Sequence, residues 1–459
     1  MVFTAYLIEN QKVSKKLYIE TYGCQMNFSD SEIVASVMTD HQYSTTDNHK
    51  EADVIFLNTC SIRDNAEQKV LNRLKQLQPL RREKPGLIIG VLGCMAERLK
   101  DALLEENELG MRVDMVVGPD AYRDLPQLMP DAESGHKAIN IILSSEETYA
   151  DITPVRYASN GVTAFISIMR GCQNFCSYCV VPFTRGKERS RDPRTIVSEA
   201  RQLFEAGYRE ISLLGQNVNS YFWEGEEMGK ATGFPELLEM VAGVSPLLRI
   251  RFATSHPKDM SDALLQVISR NPNICRAIHL PMQSGSTSVL KRMNRKYTRE
   301  EYMDRIEAIR QTLPGCAIST DIIAGFCGET PEEHQDTLDM MEWAGFDFAF
   351  MFKYSEREGT LAAKKYKDDI PEEEKTRRLQ EIIKLQQRLS LKSNKADVGT
   401  TVEVLVEGLS KRSSAHVSGR SSHNKVVVFP DKGYKPGDYV KVRINSCTAA
   451  TLLGEELEN

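Results

Sequence analysis

Three short apolar runs punctuate the first third of the chain: Leu17-Tyr18-Ile19, Val54-Ile55-Phe56-Leu57 and Leu87-Ile88-Ile89-Gly90-Val91-Leu92. Each ends in a short polar loop, and helix-like patterning follows each loop. Strand, loop and helix in repetition is the signature of a parallel sheet. Ser29 and Glu32 have capping-box spacing and predict a helix start after the first loop. Each of the three loops carries a cysteine: Cys24, Cys60 and Cys94, which are 36 and 34 residues apart. Parallel sheets bind ligands at the carboxyl ends of their strands. The three cysteines therefore share one edge and can converge on one point.

The stretch from about Ser144 to Gly161 is polar and loop-like and marks a boundary. Beyond it the alternation resumes with longer periods. Expected strands are 165–169, 210–214, 249–253, 277–280, 317–323 and 346–352, with helical patterns between them. Six βα units over about 200 residues predict an incomplete barrel, because an eight-stranded one usually takes about 250. A helix is expected from near Pro371, with Glu372, Glu373 and Glu374 in its first turn and Leu379, Ile382, Ile383 and Leu389 near one face. After Gly399 the period becomes two. Val402, Val404 and Val406 alternate with polar residues, as do Val440, Val442 and Ile444, and Val426-Val427-Val428-Phe429 adds another strand. This predicts a small all-β domain. The fold class is α/β, with domains expected at 14–145, 158–392 and 395–457.

At 459 residues the chain is long enough for two or three domains. Its 41% hydrophobic and 27% charged residues are ordinary for a globular protein. A net charge of −6 gives no global support for nucleic-acid binding, so any basic surface must be local. The amino terminus lacks the basic and apolar regions of a secretory signal, and no apolar run is long enough to span a bilayer. A cytoplasmic location is expected, and in a reducing compartment ten cysteines point to metal ligands or buried thiols before disulfides.

The densest chemistry lies in Arg170-Gly171-Cys172-Gln173-Asn174-Phe175-Cys176-Ser177-Tyr178-Cys179. Three thiolates at this spacing can hold three irons of a four-iron, four-sulfur cube and leave the fourth without a protein ligand. The competing reading is zinc with a distant fourth ligand, although zinc motifs more often pair two C-x-x-C units. The motif follows the first expected barrel strand, where barrel enzymes place their active sites. For Cys24, Cys60 and Cys94 the competing reading is buried hydrophobes. Their equivalent placement, with Gly23 and Gly93 alongside two of them, favours a second three-cysteine cube. Cys275, Cys316, Cys327 and Cys447 lack such a context and are expected in core or surface.

C-x3-C-x2-C in this loop resembles the hallmark of the radical S-adenosylmethionine (SAM) superfamily. The resemblance implies that SAM chelates the open iron and that an electron from the cube splits it into methionine and a 5′-deoxyadenosyl radical. With the second cysteine set and the terminal β domain, the whole chain resembles the radical SAM methylthiotransferases. These join an N-terminal methylthiotransferase domain, a partial (β/α)6 radical SAM barrel and a C-terminal TRAM domain, an OB-like RNA-binding barrel. Four runs are similar to the MiaB branch, which acts on tRNA: Gly23-Cys24-Gln25-Met26-Asn27, Leu214-Gly215-Gln216-Asn217-Val218-Asn219, His279-Leu280-Pro281-Met282-Gln283-Ser284-Gly285-Ser286 and Phe352-Lys353-Tyr354-Ser355-Glu356-Arg357. Cys327 departs from the family pattern, where proline is more usual.

The resemblance implies methylthiolation of C2 of N6-isopentenyladenosine at position 37 of tRNA, with two [4Fe-4S] clusters and SAM as cofactors. Cys172, Cys176 and Cys179 would hold the radical cluster. Cys24, Cys60 and Cys94 would hold the second, which delivers the sulfur. Implied partners are the anticodon stem-loop of tRNA, a one-electron reductant protein and a sulfur or iron–sulfur donor for cluster repair. The alternatives are the same chemistry on a ribosomal protein or on threonylcarbamoyladenosine in tRNA and, from another class, a non-catalytic zinc- and RNA-binding protein. Gln216, Ser255, Gln283 and Asp321 fall at expected strand ends and are candidates for SAM or base contacts. Arg185, Lys187, Arg189 and Arg191 form a basic stretch past the cluster loop, a candidate phosphate contact. Lys411, Arg412 and Arg420, with Lys425, are candidate RNA contacts in the β domain.

Overall fold

The structure is a computed structural model that describes residues 14–60, 64–104, 112–156, 160–225 and 231–457. Its contacts divide the chain into two compact units, Met1–Ser144 with Ile152–Tyr157, and Ser145–Asp151 with Ala158–Asn459. The expected polar boundary is thus shared between the two. Among the described residues no helix is long and apolar enough to cross a membrane.

The first unit is built on a parallel sheet of β1 (Lys15–Tyr22), β2 (Tyr43–Thr45), β3 (Val54–Thr59), β4 (Ile88–Gly93), β5 (Met115–Val117) and β6 (Ala138–Asn140), in the order β2-β1-β3-β4-β5-β6. The three apolar runs form β1, β3 and β4, three adjacent inner strands. Every residue of β3 and β4 is buried, as expected when helices cover both faces of a parallel sheet. The short strands β2, β5 and β6 went unpredicted because three residues are too few to show a period. The first helix spans Gln25–Thr39, five residues earlier than the Ser29–Glu32 signal predicted. Cys24 is its N-cap, and the Asn27 side chain closes a capping box with it. Ser29 and Glu32 lie inside the helix instead, where Glu32 pairs with Arg156.

In the second unit, β7 (Thr163–Ser167) leads through the antiparallel pair β8 (Met169–Arg170) and β9 (Arg189–Ser190) to β10 (Glu210–Leu214). A minor hairpin, β11 (Phe222–Trp223) and β12 (Thr232–Gly233), precedes β13 (Arg249–Phe252). Then come β14 (Ala277–His279), β15 (Ala317–Ala324) and β16 (Phe348–Lys353). The six parallel strands form two triplets, β13-β10-β7 and β14-β15-β16. A parallel bridge between Ile250 and Ile274 joins the triplets. Among the described residues nothing pairs β7 with β16, so the barrel stays open, as the count of βα units predicted. Its core lies between strands and amphipathic helices; in 193–205, Ile196, Ala200 and Leu203 recur at helical spacing on the buried face.

The helix expected near Pro371 spans Glu372–Ala396 and buries Ile382 and Leu389 together with Lys375, Arg378 and Gln386. It leads into a closed barrel of β17 (Thr401–Ser410), β18 (Ser413–Ser421), β19 (Val426–Pro430), β20 (Tyr439–Cys447) and β21 (Leu452–Glu456), in the order β17-β18-β19-β21-β20. Its core is the period-two set that includes Val404, Val406, Val427, Val440, Val442 and Ile444. The turn between β18 and β19 locks onto the larger barrel. Arg249 donates to the Arg420 carbonyl at 2.7 Å, Arg251 to that of Ser421 at 2.8 Å, and the Arg276 amide to Ser422 Oγ at 2.9 Å. Tyr439 adds hydroxyl contacts to the carbonyls of Arg209 and Leu247.

Candidate iron–sulfur sites

Strand register brings the first cysteine set together. Tyr22 pairs with Thr59, and Thr59 with Gly93, so Cys60 and Cys94 each lie one residue past a paired strand end, and Cys24 lies two. The loops are then stitched. Asn27 Nδ2 donates to Asn58 Oδ1 at 3.2 Å and to the Thr59 carbonyl at 3.1 Å. Asn58 Nδ2 returns bonds to the Asn27 carbonyl and to Ser31 Oγ, both at 2.9 Å. The Cys60 amide donates to the Tyr22 carbonyl at 2.9 Å. A methyl added at Gly23, where φ is +148°, would meet Cys60 Cβ at 2.5 Å; one added at Gly93, with φ +87°, would meet the Thr59 carbonyl at 2.8 Å. Both glycines are therefore required by close approach. Cys60 and Cys94 are buried, while Cys24 is partly exposed at the amino end of a helix. Asn27 and Asn58, visible in the sequence only as flanks, are the ties of this edge.

The second set lies just past β8, in the loop between β8 and β9. Gly171 has φ +81°, and a methyl there would stand 1.9 Å from the Lys187 carbonyl oxygen. Its amide donates to Gln216 Oε1 at 2.6 Å, and the Cys172 amide to the Gly186 carbonyl at 3.2 Å. The Ser177 amide donates to the Met293 carbonyl at 2.8 Å, its hydroxyl to the Arg292 carbonyl at 2.9 Å, and Asn294 Nδ2 holds the Phe175 carbonyl at 2.7 Å. Burial pushes the Cys172 thiol up to about 11, and burial with the neighbouring Cys176 pushes Cys179 higher still. A metal held by these thiols would expel protons from this loop. Arg295 Nη1 donates to Cys176 Sγ at 3.2 Å.

Among the described residues no group of three or more Cys, His, Asp or Glu side chains is arranged to hold one metal ion. In a cube each thiolate takes its own iron, so the ligands need only border a shared volume. Each set offers three thiols, at a glycine-relieved strand end. Among the remaining cysteines, Cys275 and Cys327 are buried and Cys316 and Cys447 partly so.

Of the candidate SAM- and base-contacting residues, Gln216, Ser255 and Gln283 lie past the carboxyl ends of β10, β13 and β14, whereas Asp321 lies within β15. Gln216 is spent on Gly171, and Ser255 donates to Asn219 Oδ1 at 3.1 Å. Gln283 is buried at φ +69° and bridges to Ile322. Asp321 lies 3.5 Å from His279 Nε2. Sequence reading missed the aromatic face beside it. Phe348 and Phe350 are exposed on β16 and meet edge to face at 4.9 Å, with His279 against Phe350 at 5.8 Å. They lie opposite the helix-packed Ala349, and the alternation Phe348, Phe350, Phe352 was their signal. Arg295 and Tyr297 were also missed, since nothing in the linear sequence ties them to Cys176.

The basic stretch is largely inside. Arg185 and Arg189 are 3% and 6% exposed, and Arg191 is bound to Glu199 at 2.5 Å. The Arg189 head donates to the Arg185 carbonyl, so these arginines brace the loop and only Lys187 faces solvent. In the small barrel, Lys411 and Arg412 are exposed at the β17–β18 turn. Arg420 pairs with Glu407 at 3.2 Å and Lys425 with Asp397 at 2.7 Å.

Family models place residues 16–118 in Uncharacterized protein family UPF0004, 166–341 in the Radical SAM superfamily and 395–457 in the TRAM domain. The tRNA-2-methylthio-N(6)-dimethylallyladenosine synthase of Amoebophilus asiaticus is 58% identical over 98% of this chain and 94% of its own length. The protein of that name from Parabacteroides distasonis is 56% identical over 98% and 97%. Among solved structures, the radical SAM methyltransferase TsrM from Kitasatospora setae superposes with a TM-score of 0.53 at 14% identity, covering 74% of this chain and 73% of that one. The cobalamin-dependent radical enzyme OxsB gives 0.51 at 13% identity, over 81% and 56%. Those two share the fold alone. With a 58% identical relative aligned nearly end to end, the chain belongs to the tRNA-2-methylthio-N(6)-dimethylallyladenosine synthase family of radical SAM enzymes.

Proposed function

We propose that the chain adds a methylthio group to C2 of N6-dimethylallyladenosine in tRNA, with SAM and two [4Fe-4S] clusters as its cofactors. The observation that carries this is the pair of three-cysteine sets, each at the carboxyl edge of a parallel sheet and each relieved by glycine. When bound, the Cys172, Cys176 and Cys179 cluster supplies the electron that makes a radical from SAM, and the Cys24, Cys60 and Cys94 cluster supplies sulfur. Adenine C2–H is not acidic, so a general base has no useful task, and the equipment for radical chemistry is what the substrate demands.

The chain's residues hold, orient and shield. Gln216 and the hairpin β8–β9 fix the radical loop. Phe348 and Phe350 offer stacking faces to a base, worth about 1–3 kcal/mol for a stacked base. Ser255 and Gln283, past their strand ends, and Asp321, within β15, are polar groups for SAM or base contacts, whereas Gln216 acts through the loop. Lys187, Lys411 and Arg412 contact the phosphate backbone. We assign 14–145 to the sulfur-delivering domain, 158–392 to the radical domain and 395–457 to RNA binding. A one-electron reductant and a sulfur donor for cluster repair are required partners, in the cytoplasm. The relatives' names favour this substrate over a ribosomal protein or threonylcarbamoyladenosine. Mass spectrometry of tRNA nucleosides from cells with and without the protein tests it. Selective loss of the 2-methylthio group is expected, and its persistence overturns the reading.

A further inference from the structure

We propose that Arg295 is a positioning residue that sets the reduction potential of the radical cluster through its hydrogen bond to the Cys176 sulfur. The inference rests on the assignment of Cys172, Cys176 and Cys179 as that cluster's ligands. Arg295 spends all three guanidinium nitrogens in one fork. Nη1 reaches Cys176 Sγ at 3.2 Å, Nη2 the Pro281 carbonyl at 3.3 Å and Nε the Tyr297 hydroxyl at 3.1 Å. The guanidinium also lies 5.2 Å from the centroid of the Tyr297 ring.

Tyr297 is buried, and its own hydroxyl donates to the carbonyls of Pro281 and Met282, at 3.1 and 2.8 Å. The fork is therefore aimed from behind. His256 packs edge-on against Tyr297 at 5.4 Å, and burial, with Arg295 and Lys258 beside it, holds its imidazole down to about 2. It is neutral at working pH, so Arg295 remains the one cation of this group in direct contact with a ligand sulfur.

Hydrogen bonds to cluster sulfurs and local charge are the protein's levers on cluster potential. A fixed cation donating to a ligand thiolate stabilises the reduced, more negative cube over the oxidised one. Its presence raises the potential and its loss lowers it. Arginine suits this task because it cannot lose its proton and its fork keeps one geometry. A structural role alone, tying the cluster loop to 281–297, would leave the potential unchanged once the cluster had assembled.

The test is an electron-paramagnetic-resonance redox titration of the reconstituted full chain, in parent, R295Q and Y297F, with iron counted per chain. The Cys60→Ala background isolates the radical cluster. In R295Q the reduced-to-oxidised ratio at a fixed potential should fall at least tenfold, a shift of about 59 mV to more negative values for one electron. Y297F keeps the arginine but loses its support and should shift the same way by less. An unchanged midpoint in R295Q with full iron overturns the proposal. If R295Q loses iron, the Y297F midpoint decides, and an unchanged value there overturns it. Failure of the cysteine assignment is seen separately, as a radical cluster that survives Cys176→Ala.

Discussion

Gly171 and Glu97 illustrate how single positions govern each site. A side chain at Gly171 has no room, since Lys187 occupies the space and the backbone is left-handed. Gly171→Ala should abolish iron retention at the radical site while the small barrel stays folded, which iron analysis with circular dichroism measures. Cys176→Ala should end SAM cleavage to 5′-deoxyadenosine. Cys60→Ala should keep cleavage but yield no methylthio product, as liquid chromatography of both products shows. Glu97, three residues past Cys94, is buried, and burial, with Asp120 nearby, raises its carboxyl to about 7. The folded state therefore holds a proton that the unfolded chain releases. Stability is present below the ordinary value near 4.5 and is lost as pH rises through about 7. Glu97→Gln removes this loss. Its stability advantage over the parent should grow from pH 5 to pH 8 to on the order of 3 kcal/mol, read by denaturant titration at the two pH values. An advantage independent of pH contradicts the assignment.

At the scale of elements, what was legible followed the length of the pattern. The apolar runs of β1, β3 and β4 and the period two of the small barrel were plain, because burial imposes a repeat on enough residues to see. Strands of three residues such as β2, β5 and β6 carry no repeat. The helix start at Gln25 was hidden because cysteine is not an ordinary cap, and Asn27 completes the box in place of the glutamate expected later. The six cysteines proposed as ligands stood out by spacing and strand context. Arg295 was not, because its partnership with Cys176 spans 119 residues and exists only after folding. The basic stretch misled because composition cannot tell a buried brace from a solvated face. One such brace is the pair Arg378–Glu329, at 2.8 Å with side chains 4% and 1% exposed, which ties the long helix to the loop after β15. Arg378→Ala leaves a buried carboxylate unpaired and should cost about 3–5 kcal/mol of stability in the second unit, measured by denaturant unfolding. A cost below 1 kcal/mol would show that water reaches the pair.

For the molecule as a whole, RNA affinity should reside in few exposed cations, since the net charge is −6. Replacing Lys411 and Arg412 with alanine should weaken tRNA binding evenly across tRNA sequences and lower the salt slope by about 1–2. Filter binding across a salt series measures this, and an unchanged slope would remove these residues from the interface. Deleting the small barrel should weaken binding further while the radical site still forms.

The contacts of Arg249, Arg251, Arg276 and Tyr439 with that barrel carry one more meaning. An RNA-binding module on a slack tether only raises local concentration and lets the enzyme sample any nucleotide within reach. A module bolted to the catalytic barrel is a ruler. With the RNA-binding role proposed for it, it fixes the stride between the place where the RNA is gripped and the place where one base is changed, so the address of the modified nucleotide is written in the rigidity of the joint.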